Sequence, residues 1–201
     1  KPKQEKKIET SNPEAYEFYL KAKHKYYKRE NTDDTEVARG LIKKAIELDE
    51  NLIDAKLLLG KTYREMGDLD EAMDIFSSTF KQAEQLGEKR GMGFNLNNIG
   101  IIYYQKGDYE KALDYYERSL AIAEELGDKR GMGYTLRNIG KSYRDKGDLE
   151  AAIESYKVGI NIDPNFRSYL NRGTLKKSIG DKKGSCFDLL DTRQPNIPDS
   201  H

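Results

Sequence analysis

The stretch LGDKRGMGYTLRNIG, from Leu126 to Gly140, sets Gly127, Gly131 and Gly133 beside Lys129 and Arg130. Such a composition suits a phosphate site, because glycine lets backbone N–H groups approach an anion and the two cations neutralise it. Two features argue against that use. The stretch lacks the G-x-x-x-x-G-K-[ST] pattern, and no strand pattern precedes it. It is also duplicated: Leu86 to Gly100 reads LGEKRGMGFNLNNIG and matches it at eleven of fifteen positions. Duplication points to a structural joint. Gly127 then ends one helix, and Gly131 and Gly133 let the next approach its neighbour, leaving Lys129 and Arg130 as solvated charges.

Other reactive side chains are few. The two histidines are His24, among lysines and tyrosines, and His201, the last residue; neither has a partner nucleophile nearby. The single cysteine, Cys186, has no histidine near it in sequence and reads as a small packing residue. No CxxC pair or Cys/His cluster offers a metal site, so the reading is no enzyme, no cofactor and no metal. Lone cysteine usage points to a reducing compartment, the cytoplasm. The 201 residues carry 35 basic and 35 acidic side chains, a balance that proposes neither a nucleic acid nor a membrane partner. No apolar run approaches the roughly 18 residues a membrane span requires. The opening KPKQEKK, without a methionine or an apolar signal core, reads as the edge of a longer chain.

The elements behind the joint repeat every forty residues. Gly60, Gly100 and Gly140 align, as do Tyr63, Tyr103 and Tyr143. The pairs Gly67-Asp68, Gly107-Asp108 and Gly147-Asp148 follow, then Ala72, Ala112 and Ala152, then Phe76, Tyr116 and Tyr156. Small residues belong where two antiparallel helices approach closely, and the aromatics are expected to fill the space between neighbouring pairs. Gly-Asp closes one helix and caps the next. Between Tyr134 and Lys146, Leu136, Ile139, Gly140 and Tyr143 share one helical face, whereas Arg137, Asn138, Lys141 and Arg144 share another.

These marks resemble the tetratricopeptide repeat, a helix-turn-helix unit normally of 34 residues. The resemblance implies an all-α, right-handed superhelix of about five helix pairs, in the longer form found in bacterial signalling proteins. The expected organisation is a charged linker over 1–12, an array over 13–191 and a tail over 192–201. Its units run about 13–50, 51–88, 89–128, 129–164 and 165–191. The segment from Asn12 to Tyr63 resembles the repeat region following the catalytic part of certain bacterial adenylate or guanylate cyclases, and the repeats also resemble those of sensor histidine kinases.

In this family the first helix of every pair lines an inner, partner-binding surface. Residues two before the first glycine are Asn98, Asn138 and Asn171, with Leu58 interrupting the series. They resemble the asparagine ladder that grips a peptide main chain, although an amide can equally bond to an adjacent helix. Basic residues gather on the first helices, among them Lys61, Arg64, Arg137, Lys141, Arg144 and Arg167, and acidic residues on the second. Such a wall favours an acidic segment, or else its charges pair between helices. Phe94, Asn97, Ile101, Tyr104 and Tyr134 supply apolar and amide contacts, open to a partner or covered by a neighbouring helix. The carboxylate clamp of related domains is incomplete, since Asn97 and Ile101 replace its first pair and Asn171 its last arginine. The expected function is a scaffold binding a protein or peptide, acidic in character. The alternative is a regulatory or self-associating segment of a signalling enzyme such as a cyclase or histidine kinase.

Overall fold

A computed structural model describes residues 12–164, 171–174, 176 and 180, and among these there are helices and no strand. Eight helices are bounded within the described residues, α1 Pro13–Tyr27, α2 Thr32–Leu48, α3 Ile53–Met66, α4 Leu69–Gln85, α5 Lys89–Gln105, α6 Tyr109–Glu125, α7 Lys129–Lys146 and α8 Leu149–Ile162, and residues 171–174 are helical as well. Most of the expected fifth unit, and the segments 1–11 and 181–201, lie outside the described residues. The chain divides into two compact units, residues 1–98 and 99–201, with the division inside α5.

In the first unit Asn12 starts α1: its Oδ1 accepts from the N–H groups of Glu14 and Ala15 at 3.1 and 3.2 Å, and Pro13 follows at the first helical position. The same side chain donates from Nδ2 to the Leu48 carbonyl at 2.9 Å, which ties the start of α1 to the end of α2. Tyr19, Ala22 and Tyr26 of α1 bury against Ala38, Ile42 and Ala45 of α2, and Ala55 and Leu58 of α3 join that core. The turn from α3 to α4 depends on Gly67, whose φ of +91° places it in the left-handed region. There the Asp68 N–H reaches back to the Tyr63 carbonyl at 3.1 Å and the Gly67 N–H to that of Arg64 at 3.2 Å, satisfying two orphan helix carbonyls.

The aligned glycines mark close helix contacts inside each pair. A Cβ on Gly60 would stand 2.6 Å from Cε1 of Phe76. In the second unit a Cβ on Gly100 would lie 2.7 Å from Cε1 of Tyr116, and one on Gly140 2.7 Å from Cδ1 of Tyr156. Only a hydrogen leaves room for the ring. The aromatics therefore sit on the glycine of their own pair, and Tyr116 also packs toward the next pair, as the sequence suggests. Phe76, Tyr116 and Tyr156 are each no more than 1% exposed, and burying a ring of this size stabilises by about 2 kcal/mol. In the second unit, Ala112, Leu113 and Tyr116 of α6 share a core with Leu136 and Ile139 of α7.

Candidate functional site

The glycine-rich joint is closed to an anion by its own carboxylate. Gly127 has φ +63° and terminates α6, with the Asp128 N–H on the Ala123 carbonyl at 2.9 Å. Asp128 then caps α7, its Oδ1 accepting from the Gly131 N–H at 2.9 Å. Glu88 does the same for α5 through the Gly91 N–H. A phosphate would have to displace a negative group already fixed at the helix start. Gly133 serves packing, since a Cβ there would come 2.7 Å from Cβ of Asp163. Lys129 and Arg130 are exposed.

An open amide ladder does not appear at Asn98 and Asn138. They are 4% and 6% exposed, Asn97 is 3% exposed, and Leu58, which interrupts the series, is itself in the core. Asn98 donates from Nδ2 to the Phe94 carbonyl at 2.7 Å and accepts at Oδ1 from Nη1 of Arg64 at 2.6 Å. Its amide therefore braces an arginine of the preceding pair. Asn97 and Asn138 are also engaged with neighbours. The physical reason is position: residues two before the glycine face the seam between pairs, where any polar group must be satisfied internally. Asn171 is half-buried, its Nδ2 without an acceptor among the described residues, and Arg167 lies outside them.

Two hydrogen-bonded clusters went unseen in the sequence. In the first unit the Tyr26 hydroxyl donates to Oε1 of Glu65 at 2.5 Å; Arg29 pairs with the same carboxylate, and its guanidinium lies 4.2 Å from the Tyr26 ring centroid. In the second, the Tyr104 hydroxyl donates to Oδ2 of Asp145, and Arg144 grips that carboxylate through Nε at 2.6 Å and Nη2 at 3.0 Å. Both tyrosines lie four residues after the small mid-helix residue, and both acids five after the glycine of the next pair. That recurrence was the available signal. Burial, then the hydrogen bond to Asp145, pushes the Tyr104 hydroxyl up to about 12. The Arg144 hydrogen bonds hold the Asp145 carboxyl below the usual carboxylate range.

The remaining cations differ in setting. Lys61 is half-buried, and desolvation, followed by repulsion from Arg64, holds its ammonium below the usual lysine range. Along α7, Tyr134, Arg137, Lys141 and Arg144 follow one another at spacings of three, four and three, so they form a single stripe. Tyr134 is 42% exposed with the Arg137 guanidinium 4.6 Å from its ring centroid, and the Arg144 side chain is 39% exposed. Phe94 and Ile101 of α5 are half-buried. His24 is exposed on α1, whereas Cys186 and His201 lie outside the described residues. Among the described residues no group of three or more His, Cys, Asp or Glu side chains is arranged to hold a metal ion, and no helix is long and apolar enough to cross a membrane.

No curated protein sequence matches the chain. Several solved structures resemble it. BtubC (BKLC) from P. vanneervenii has a TM-score of 0.70 at 18% identity, covering 93% of each chain. PilF of Pseudomonas aeruginosa has a TM-score of 0.72 at 14% identity, over 90% of this chain and 78% of that one. A putative kinesin light chain with nearly identical TPR-like repeats, from Podosopora anserina, gives 0.67 at 12% identity, over 89% and 92%. At these identities the likeness establishes the fold. The tetratricopeptide repeat family model matches residues 52–125 and again 92–165, starting forty residues later, as the sequence period requires. With glycine and aromatic locked together in each matched pair and more than half of the chain matched, the protein belongs to the tetratricopeptide repeat family.

Proposed function

We propose that the chain is a protein-interaction scaffold whose first helices receive an acidic partner segment, with α7 as the principal contact in the second unit. The observation that carries this reading is the stripe of Tyr134, Arg137, Lys141 and Arg144, three cations and an exposed aromatic ring on one helical face. Glutamate and aspartate side chains would meet the cations, and Tyr134, backed by Arg137, offers a flat apolar contact at low entropy cost. In the first unit Lys61 and Arg64 supply the corresponding charge, with Asn98 holding the Arg64 guanidinium in one orientation. Half-buried Phe94, in the same unit, adds apolar contact. Arg144 is partly neutralised by Asp145, so the stripe selects an acidic segment by summed field and not by one bidentate pair.

The test is binding of a labelled glutamate-rich peptide to the full chain, read by fluorescence anisotropy across a salt series. Affinity should fall as salt shortens the screening length from about 10 Å at 0.1 M toward about 3 Å at 1 M. Arg137→Glu with Lys141→Glu should weaken binding about tenfold or more, some 1.4 kcal/mol. The control Arg118→Glu, on α6 beside Asp114 at 3.6 Å, should leave it unchanged. Salt-independent binding, or equal loss in the control, counts against the reading.

A further inference from the structure

The same positions of two first helices treat their charges differently. In α3 a lysine, an arginine and an acid lie one, four and five residues after the mid-helix glycine: Lys61, Arg64 and Glu65 after Gly60. In α7 they are Lys141, Arg144 and Asp145 after Gly140. Asp145 neutralises its arginine directly, accepting from Nε of Arg144 at 2.6 Å and from Nη2 at 3.0 Å. Glu65 does not. Its Oε1 accepts from the Tyr26 hydroxyl at 2.5 Å and its Oε2 from Arg29, both supplied by the preceding pair. Nη2 of Arg64 stands 3.9 Å from that carboxylate, beyond hydrogen-bonding distance. Arg64 is held by an amide: Nη1 donates to Oδ1 of Asn98 at 2.6 Å, the one hydrogen bond of this guanidinium among the described residues. Its side chain is nevertheless only 12% exposed, against 39% for Arg144.

Lys61, half-buried one turn earlier, has no hydrogen-bond acceptor at its ammonium among the described residues. Desolvation and then repulsion from Arg64 hold that ammonium below the usual lysine range; Lys23 of α1 adds to the repulsion, and Asp54 and Glu65 oppose it. Glu65 is already matched by Arg29, which leaves Asp54 against Lys23, Lys61 and Arg64, an excess of two positive charges. Desolvated cations with unused donors are costly alone and become favourable when an oxyanion completes them. Lys61 brings three N–H donors, and Arg64 brings Nε and Nη2 in the planar fork that matches two oxygens of one anion. A phosphoryl group supplies three oxygens and close to two negative charges, which answers both the donors and the excess; a single carboxylate supplies two oxygens and one charge. We infer that Lys61 and Arg64, the latter aimed by Asn98, bind a phosphoryl group carried on the partner segment that the first helices receive. This deepens the scaffold reading and rests on it: the partner is a phosphorylated acidic segment whose phosphoryl group seats in the first unit.

Fluorescence anisotropy of the full chain with two labelled peptides, at fixed ionic strength, tests this: a glutamate-rich segment, and the same segment with phosphothreonine in place of one glutamate. The phosphorylated peptide should bind about tenfold more tightly. Lys61→Met should remove that preference, bringing the two affinities within about twofold of each other. It should not lower the melting temperature, because it deletes a desolvated ammonium and keeps an apolar stem. Lys141→Met, at the matching position of α7, should weaken both peptides alike and keep the preference, since the arginine beside it is already neutralised. Inorganic phosphate that displaces the phosphorylated peptide as effectively as the unlabelled phosphopeptide does would make the ligand a free anion and overturn the partner-borne assignment. Equal binding of the two peptides to the parent, or a preference that survives Lys61→Met, overturns the inference and leaves the scaffold reading standing. Failure of both peptides to bind overturns the two together.

Discussion

Tyr156 fills the space over Gly140 with a buried hydroxyl that has no hydrogen-bond partner among the described residues, while Phe76, at the same place over Gly60, carries no hydroxyl. A buried unpaired hydroxyl costs about 1–3 kcal/mol. Tyr156→Phe is therefore expected to be neutral or to raise stability by about 1 kcal/mol in urea unfolding; a clear loss would show that the hydroxyl has a partner. Asp145 answers to pH. Its folded value lies below its unfolded one, so its contribution is complete above about pH 4 and disappears as the pH falls through the depressed value. Asp145→Asn should remove that part of the acid limb: parent and variant differ most near neutrality and converge in acid, measured as denaturation midpoints against pH. The ring positions were legible because size recurs every forty residues. The hydroxyl bonds were not, since a tyrosine and an acid 41 residues apart reveal a contact only once helices stack.

Among the helices, the joints explain how a phosphate-like stretch serves as structure. Each pairs a left-handed glycine with a carboxylate, Gly127 with Asp128 and Gly87 with Glu88, so that one helix is closed and the next capped within two residues. Lys129 and Arg130 fall in the first turn of α7, where the helix dipole disfavours cations, and accordingly they stay exposed. Asp128→Ala should lower stability by about 1 kcal/mol, with hydrogen exchange accelerating first at Gly131, whose N–H the carboxylate holds. Uniform protection across α7 in that variant would contradict the capping role. Gly-Asp and Gly-Glu punctuation made these ends readable, because the requirement for positive φ and a cap acts within a few residues.

For the molecule as a whole, the balance of 35 basic and 35 acidic side chains conceals how charge is arranged. The first helices are rich in cations, yet Arg144 is answered by Asp145 on its own helix, and Glu65 by Arg29 from the preceding pair. Among the described residues each unit contains a tyrosine–acid–arginine cluster, Tyr26 with Glu65 and Tyr104 with Asp145. These clusters sit at the ends of first helices, the second sharing Arg144 with the α7 stripe, whose other cations are Arg137 and Lys141. The face proposed for peptide capture is that of α7 in the second unit.

By itself the sequence determined the period, the helix ends, the recurrence of small and aromatic residues and the family, because each is a local or strictly repeated requirement of backbone conformation and volume. Only the tertiary structure decided which polar side chains are spent inside the array. Asn98 and Asn138 occupy ladder positions in the sequence, but stacking turns those positions into the seam, and burial then obliges their amides to bond within the protein. A one-dimensional pattern specifies what each position can do; whether a neighbour already covers it is a fact of packing.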